Sequence, residues 1–289
     1  MKILVTGANG QLGSEINKRT SIYSNWEFVF SDVADLDITN LTAVESFVHQ
    51  NKITAIINCA AYTAVDLAES NIEFCEAVNV LGAKNLAIVA ASNNLKYIHT
   101  STDFVFDGKY HLPYKESDEP NPLSVYGITK YKGEQEVLQE NPSSIVLRTA
   151  WLYSEHGGNF VKTMQRLGKD RQTLNVIFDQ VGTPTWAGDL ATVILEILSQ
   201  IEKGGKQSGL YHYSNEGIAS WYDFAVEIMQ ISGIDCKVYP IETKEYPTPA
   251  PRPAYSVLNK AKIKKDFQLE IPHWKESLKK CILAINNEQ

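Results

Sequence analysis

Tyr126 and Lys130 have the residue types and the spacing of a proton-donor pair. Residues four apart in a helix lie on one face, so we expect the ammonium of Lys130 beneath the phenol of Tyr126. A phenol ionises near pH 10, and an ammonium about 4 Å away contributes on the order of 4 kcal/mol at an effective dielectric constant of 20, enough to bring that ionisation near neutrality. The pair predicts that neutral Tyr126 donates a proton to a carbonyl oxygen while a hydride reaches the carbon. Because the chain has 14 tyrosines, a tyrosine and a lysine at this spacing can also arise by chance. The neighbouring motifs therefore decide whether the pair is functional.

The hydroxyl groups of Ser101 and Thr102, followed by Asp103, precede this pair in the sequence. They follow the segment Tyr97–Thr100, which is predicted to be a strand. Open α/β sheets bind ligands at the carboxyl ends of parallel strands, so these hydroxyls should face a ligand site. Thr102 or Ser101 could then polarise a substrate oxygen. The alternative is that they only cap a loop.

A glycine-rich turn follows the first predicted strand. Gly7, Gly10 and Gly13 depart from the strict G-x-G-x-x-G fingerprint but meet the same needs, namely a tight turn, close approach of the backbone to a pyrophosphate and close helix packing. The N-terminus of the next helix would add amide donors for the anion. The pattern predicts a dinucleotide site, and the alternative is a tight turn without a ligand.

Asp32 stands at the end of the second predicted strand, where the fold places a residue beside the adenosine ribose. Its carboxylate would accept hydrogen bonds from both ribose hydroxyls and repel a 2′-phosphate, which favours NADH over NADPH. The alternative role for Asp32 is helix capping.

Strands and helices alternate regularly around these residues. Apolar runs predict strands and amphipathic stretches predict helices: strands at Lys2–Val5, Glu27–Phe30, Ala55–Asn58, Tyr97–Thr100 and Ile145–Arg148, and helices at Gln11–Arg19, Leu41–Gln50, Ile72–Asn93 and Val125–Glu140. Such alternation implies parallel strands with right-handed crossovers. Because the run Ile3-Leu4-Val5 lacks polar alternation, it predicts a central strand buried on both faces. We therefore predict an α/β fold with a Rossmann-type doubly wound parallel sheet.

The pattern becomes less regular after about Trp151, where glycine and proline are frequent. This predicts a smaller C-terminal substrate-binding lobe, made of about 152–179 and 216–289. The dinucleotide-binding Rossmann domain would comprise 1–151 and part of about 180–215. The segment Pro247–Pro253 has too few amide donors to join a sheet and predicts an extended loop.

The composition excludes several classes of protein. The 289 residues are 44% hydrophobic and carry a formal net charge of -7, which argues against disorder and against a nucleic-acid partner. The four cysteines are far apart and form no C-x-x-C pair, which indicates reduced thiols in a cytoplasmic protein. The N-terminus does not resemble a sorting signal, and no stretch is expected to span a membrane.

Together, these motifs resemble those of the extended short-chain dehydrogenase/reductase superfamily and, within it, the dTDP-4-dehydrorhamnose reductase family. The resemblance runs over nearly the whole chain. It rests on the Gly7–Gly13 turn, the segments 58–66 and 101–108, Tyr126 with Lys130, and the segments Arg148–Trp151 and Arg252–Tyr255. Two positions depart from the family: Leu67 and Phe104 stand where lysine and tyrosine are common. Neither change removes a catalytic group.

The resemblance implies roles for individual residues. The catalytic residues would be Tyr126, Lys130 and Thr102. Cofactor contacts would come from Gly10, Gln11 and Leu12 at the pyrophosphate, from Asp32, Asp37 and Ile38 around the adenosine, from Ala60, Ala61 and Tyr62 along the dinucleotide, and from Tyr126 and Lys130 at the nicotinamide ribose. The sugar would contact Thr102, Asp103 and Trp151. Arg252 would bind the substrate diphosphate, since a guanidinium offers bidentate bonds to phosphate oxygens; its alternative role is that of a surface arginine.

The resemblance also implies an activity, the reduction of dTDP-4-dehydro-6-deoxy-L-mannose to dTDP-L-rhamnose, the last step of dTDP-rhamnose synthesis, by NADPH or NADH. Two alternatives stay open: another nucleotide-sugar reductase or epimerase, and a non-catalytic NADP-binding regulatory subunit. Some family members are described as binding magnesium through glutamates at a dimer contact. Glu15 matches one such ligand and the others cannot be placed, so no metal site is predicted. A homodimer is compatible with the resemblance.

Overall fold

The computed structural model describes residues 1–287 and is built around a six-stranded parallel sheet. The strands are β1 (Lys2–Thr6), β2 (Glu27–Ser31), β3 (Ala55–Asn58), β4 (Lys96–Thr102), β5 (Ile145–Thr149), β6 (Leu152–Tyr153), β7 (Thr173–Ile177), β8 (Val181–Gly182), β9 (Thr185–Trp186), β10 (Gly209–His212), β11 (Ala219–Ser220) and β12 (Lys237–Ile241). The sheet has the order β10-β5-β4-β3-β1-β2, and each neighbouring pair in it is parallel. The predicted Rossmann-type α/β fold is confirmed.

Helices cover both faces of this sheet. They are α1 (Gln11–Lys18), α2 (Leu41–Asn51), α3 (Val65–Ala68), α4 (Ile72–Glu76), α5 (Ala83–Ser92), α6 (Val125–Glu140), α7 (Phe160–Asp170), α8 (Ala187–Glu202), α9 (Trp221–Ser232), α10 (Ala261–Phe267) and α11 (Trp274–Asn287). Ile3 and Val5 of β1 lie in one core cluster with Ile16 of α1, whereas Leu4 lies in another with Leu86 of α5. Full burial of such a side chain is worth about 1.5–3 kcal/mol, so the uninterrupted apolar run stabilises both faces.

The helical stretch Ile72–Ser92 is long and apolar enough, by length and composition alone, to cross a membrane. The prediction that no stretch has this property is therefore wrong on that criterion. The stretch comprises α4 and α5 joined by a π-helical segment, Ala77–Gly82, and 50% of its apolar window is buried inside the protein. Because α5 packs against α6 and β3, the apolar side chains of α5, such as Leu86 and Val89, belong to the core of the fold.

The later part of the chain forms a second, smaller core. Phe224 and Ile228 of α9 pack in one cluster with Leu278 of α11, next to the parallel pair β7 and β12. The helix α9 begins at a capping box in which Ser220 and Asp223 exchange side-chain to backbone hydrogen bonds. β10 lies instead in the main sheet beside β5. The domain boundaries given above stay a prediction, and residues 247–253 form neither helix nor strand, as expected for a proline-rich loop.

Candidate active site

A large cavity opens at the carboxyl ends of the sheet strands. The strand order reverses at β1, which has β2 on one side and β3 on the other, and such a switch point is where open α/β sheets bind ligands. The cavity has a volume of about 1930 Å³, above the roughly 300–1,000 Å³ of most small-molecule pockets, and therefore has room for two ligands. The predicted site residues that line it are Gly7, Gly10, Gln11, Leu12, Asp32, Asp37, Ile38, Ala60, Ala61, Tyr62, Thr102, Asp103, Tyr126, Lys130, Trp151 and Arg252.

The glycine turn has the close packing that its sequence predicts. Gly7 adopts a φ of 65°, a left-handed conformation that favours glycine, and a Cβ atom there would lie 2.7 Å from the backbone nitrogen of Ala60. Gly13 does not line the cavity. A Cβ atom on Gly13 would lie 2.5 Å from the carbonyl oxygen of Gly7, so this glycine lets α1 pack against the turn. The turn therefore brings backbone amides to the cavity at the N-terminus of α1.

Asp32 links the second strand to this turn. Its Oδ2 accepts a hydrogen bond from the Asn9 amide at 2.9 Å, and its Oδ1 accepts one from the Val33 amide at 2.8 Å. A carboxylate has about four lone-pair sites, so acceptor capacity is left for a ribose. Asp32 thus has a structural role in the turn while it also lines the cavity.

Tyr126 lies in the first turn of α6, which begins at the N-cap residue Ser124. The half-buried phenol adjoins the Thr102 hydroxyl, and the ring of Phe104 packs edge-on with 5.6 Å between ring centroids. Burial raises the pKa of Tyr126 to about 12; the hydrogen bond with Thr102 opposes this rise, and the charge of Asp103 adds to it. Tyr126 is therefore neutral near pH 7 and has a proton to donate.

Lys130 lies one helical turn after Tyr126 and is buried. Its Nζ donates a hydrogen bond to the carbonyl oxygen of Thr100 at 2.7 Å. Burial lowers the pKa of Lys130 to about 8, although the nearby Glu134 carboxylate opposes this effect. The pKa of Tyr126 is not brought near neutrality as the spacing suggested, because burial raises it and Lys130 is not among the causes of its shift.

Trp151 presents a fixed aromatic surface to the cavity. Its ring stacks on that of Trp221, with 3.5 Å between centroids and 4° between planes, and both residues line the cavity. Trp151 has a φ of 49°, which is uncommon for a bulky residue. A Cβ atom at Gly182 would lie 2.7 Å from the indole, so glycine leaves the space that the ring needs. The sequence did not predict Trp221 as a site residue, because its stacking on Trp151 joins two positions far apart in the chain.

Arg252 lines the cavity and is paired with an acidic residue. Its Nη1 and Nη2 donate hydrogen bonds to Oδ1 and Oδ2 of Asp66 at 2.6 and 2.8 Å. With 22% of its side chain exposed, Arg252 is not a free surface arginine. The sequence motifs included Asp66 but did not predict this pairing.

Three buried hydroxyl groups of cavity-lining residues lack protein partners within residues 1–287. They are Ser31 Oγ, Ser101 Oγ and Thr149 Oγ1. Leaving a buried polar group without a hydrogen bond costs about 1–3 kcal/mol. These hydroxyls, like the glycine turn, fit a cavity that holds a polar ligand such as a dinucleotide.

Glu15 lies outside the cavity, close to Glu155 and His156, with potential ligand atoms within 4.8 Å of one another. Both carboxylates already have cationic partners, because Arg19 pairs with Glu15 and Lys18 with Glu155. Burial, reinforced by the contact with Glu155, raises the pKa of Glu15 to about 8.

This arrangement defines a class of protein. The site places a neutral phenol beside a hydroxyl group, in a crevice whose glycine turn can hold a pyrophosphate. These are the functional groups of an oxidoreductase of the extended short-chain dehydrogenase/reductase type. The chain belongs to the family described as the RmlD substrate binding domain, whose model matches residues 1–287.

Individual relatives agree with this assignment. A dTDP-4-dehydrorhamnose reductase of Aggregatibacter actinomycetemcomitans is 43% identical over 286 residues, covering 96% of this chain and 97% of the relative. The crystal structure of such a reductase from Clostridium acetobutylicum is 48% identical, with a TM-score of 0.93, over 99% of this chain and 100% of that one. The reductase from Bacillus anthracis in complex with NADP is 36% identical, with a TM-score of 0.93, over 98% and 99% of the two chains.

Proposed function

We propose that this chain reduces the 4-keto group of dTDP-4-dehydro-6-deoxy-L-mannose, giving dTDP-L-rhamnose, with NADH or NADPH as the reductant. The observation that carries the proposal is the neutral phenol of Tyr126 beside the Thr102 hydroxyl in a cavity large enough for both ligands. The names of the relatives supply the sugar and the nucleotide.

The reacting groups of the chain act on the keto oxygen. The dinucleotide, when bound, supplies the hydride that goes to C4 of the sugar. The Thr102 hydroxyl, which donates to Asp103 Oδ1 in the structure, turns its proton to the C4 carbonyl and polarises it, and Tyr126 gives its phenolic proton to the oxygen. The ammonium of Lys130 stabilises the phenolate that is left. Hydride and proton together convert the ketone into the alcohol.

Two further residues hold the substrate in place. The stacked indole of Trp151 covers the apolar C–H face of the sugar ring, as aromatic side chains do in amphipathic sites. Arg252 binds the diphosphate through its guanidinium. Positioning by such groups places the keto carbon for reaction and reduces the entropic part of the barrier.

One assay tests the activity. The purified protein is incubated with dTDP-4-dehydro-6-deoxy-L-mannose, and the absorbance of NADH or NADPH is followed while the sugar product is identified. Stoichiometric oxidation of the reductant with dTDP-L-rhamnose as product is expected. Conversion of the sugar without net oxidation would indicate an epimerase, and binding of the dinucleotide without any conversion would indicate the regulatory subunit.

The pH dependence of kcat/KM should follow the ionisation of the Lys130 side chain. This residue is charged below its pKa of about 8 and neutral above it, whereas Tyr126 stays neutral up to a pKa of about 12. We expect kcat/KM to fall above about pH 8, by about tenfold per pH unit. In Lys130→Arg the guanidinium stays charged, so the fall should move to higher pH. A native profile that is flat to pH 10 would contradict this role of Lys130.

Asp32 should set the cofactor preference. We expect Asp32→Ala to raise the KM for NADH by about tenfold, the value of one or two hydrogen bonds to a carboxylate. The KM for NADPH should change less, because the 2′-phosphate no longer meets a negative charge. Asp32→Asn keeps one acceptor oxygen for the Asn9 amide and isolates the effect of charge. Equal effects on both cofactors would leave Asp32 with its structural role alone.

The homodimer and the cytoplasmic location stay predictions. The nucleotide-sugar substrate follows from the proposed activity, and magnesium is implied by the resemblance alone.

A further inference from the structure

The carboxylate of Asp66 joins two segments that are far apart in the sequence. Asp66 lies in the first turn of α3, directly after the segment that contains Ala60, Ala61 and Tyr62. Its Oδ1 accepts hydrogen bonds from the Ala250 amide at 3.1 Å and from Arg252 Nη1 at 2.6 Å. Its Oδ2 accepts one from Arg252 Nη2 at 2.8 Å. Asp66 therefore binds both the backbone and the guanidinium of the loop 247–253.

The pairing leaves one edge of the Arg252 guanidinium available. A guanidinium carries five N–H groups, which form an end fork from Nη1 and Nη2 and a side fork from Nε and Nη2. Asp66 takes the end fork, and the carbonyl oxygen of Ala250 takes the other Nη1 hydrogen at 2.6 Å. The Nε hydrogen and the second Nη2 hydrogen have no partner within residues 1–287. A side fork of this kind suits two phosphate oxygens, so the bonds to Asp66 and to a phosphate can exist together.

The loop 247–253 has few backbone hydrogen-bond donors that could fix its position. Prolines at 247, 249, 251 and 253 have no amide hydrogen, and the Ala250 amide between them donates to Asp66. On another side the loop end packs against Gly108, where a Cβ atom would lie 2.5 Å from the nitrogen of Ala254. An ordinary exposed ion pair contributes little, because it must order two flexible side chains. Here the stiff loop and the additional backbone bond reduce that cost.

We propose that Asp66 is a positioning residue that presents the side fork of Arg252 to the diphosphate of a sugar nucleotide in the cavity. Both residues line that cavity, and Arg252 alone touches the ligand. The proposal rests on the proposed function for its substrate class. It assigns to Asp66 a role in binding the phosphates and none in the transfer of hydride or proton.

A binding experiment tests this without turnover. Calorimetry with NADH at saturation measures the Kd of dTDP and of thymidine for the unaltered protein and for Asp66→Asn. We expect the Kd of dTDP to rise by about tenfold or more and that of thymidine to stay unchanged, since only dTDP carries phosphates. An unchanged or lower Kd for dTDP would overturn the proposal, because Asp66 would then be irrelevant to the phosphates or compete with them for Arg252.

A double-mutant cycle separates positioning from a general structural effect. If Asp66 acts through Arg252, then Asp66→Asn should change the Kd of dTDP by less than about twofold in the Arg252→Ala background. Independent losses that multiply would overturn the proposal. Glu76→Gln is a matched control, because Glu76 forms a comparable exposed pair with Lys132 away from the cavity, and it should leave both Kd values unchanged. Asp66→Ala serves as a second variant if Asp66→Asn folds poorly, and far-UV circular dichroism confirms the fold.

Kinetics then connect the inference to the reaction. In Asp66→Asn, the KM of the keto sugar should rise with the Kd of dTDP, while kcat and the KM for NADH change little. A loss confined to kcat would overturn the positioning role. If the unaltered protein shows no turnover, the proposed function fails, and the binding of dTDP still decides the role of Asp66.

Discussion

Tyr126→Phe is expected to lower kcat by about 10²–10⁴-fold, the usual contribution of a positioned general acid. The substitution removes the phenolic proton beside Thr102 and leaves the ring and its edge-on contact with Phe104. Because the hydroxyl acts on the keto oxygen, dinucleotide binding should persist. Stopped-flow measurement of a single turnover and fluorescence titration with NADH give the two quantities separately.

Tyr131→Phe provides the matched control. Tyr131 lies on the same helix and packs against a small core cluster, and it does not line the cavity. Removal of the Tyr131 hydroxyl in this variant should leave kcat almost unchanged. Near-normal turnover in Tyr126→Phe would refute the role of proton donor, and equal losses in both variants would point to damage to α6.

Glu134→Gln is expected to have the largest effect on stability. Glu134 and Arg148 are both 2% exposed, and Arg148 Nε and Nη2 donate to the carboxylate at 2.9 and 2.6 Å. Without that charge the guanidinium stays buried and uncompensated between β5 and α6. Breaking a buried pair in this way costs about 3–5 kcal/mol. A lower midpoint of urea-induced unfolding measures the loss.

Two comparisons make this result specific. Glu134→Gln combined with Arg148→Met removes both charges, so it should recover much of the lost free energy of unfolding. Glu136→Gln, on the same helix, breaks a partly exposed pair with Lys84 and should change the midpoint little. Similar midpoints for Glu134→Gln and Glu136→Gln would show that the buried pair is not a major source of stability.

The sheet was predictable because its signals are local. The run Ile3-Leu4-Val5 contains no polar residue. Side chains that follow one another in a strand point to opposite faces, so an uninterrupted apolar run indicates a strand buried on both faces. The glycine turn was predictable for a similar reason, since Gly7 and Gly13 stand where side chains would collide with neighbouring backbone. The predicted helix ends agree with the structure to within about one residue where caps or glycines mark them, as expected for such signals.

The pKa suggested for Tyr126 was too low because it came from the distance to Lys130 alone. Helical spacing correctly put Tyr126 and Lys130 on one stretch of α6. Spacing contains no information on how much water the fold removes from the two groups. In the structure this desolvation raises the pKa of Tyr126 and lowers that of Lys130, so the reaction starts with a neutral phenol.

Residue types and short spacings thus accounted for the parallel sheet, the turn and the identity of the reacting side chains. The stacking of Trp151 on Trp221 and the pairing of Asp66 with Arg252 join positions with no periodic or local relation in the chain. Their partners depend on how the second core packs against the sheet. That packing is a property of the complete fold, because side-chain contacts and burial arise only after distant segments have met.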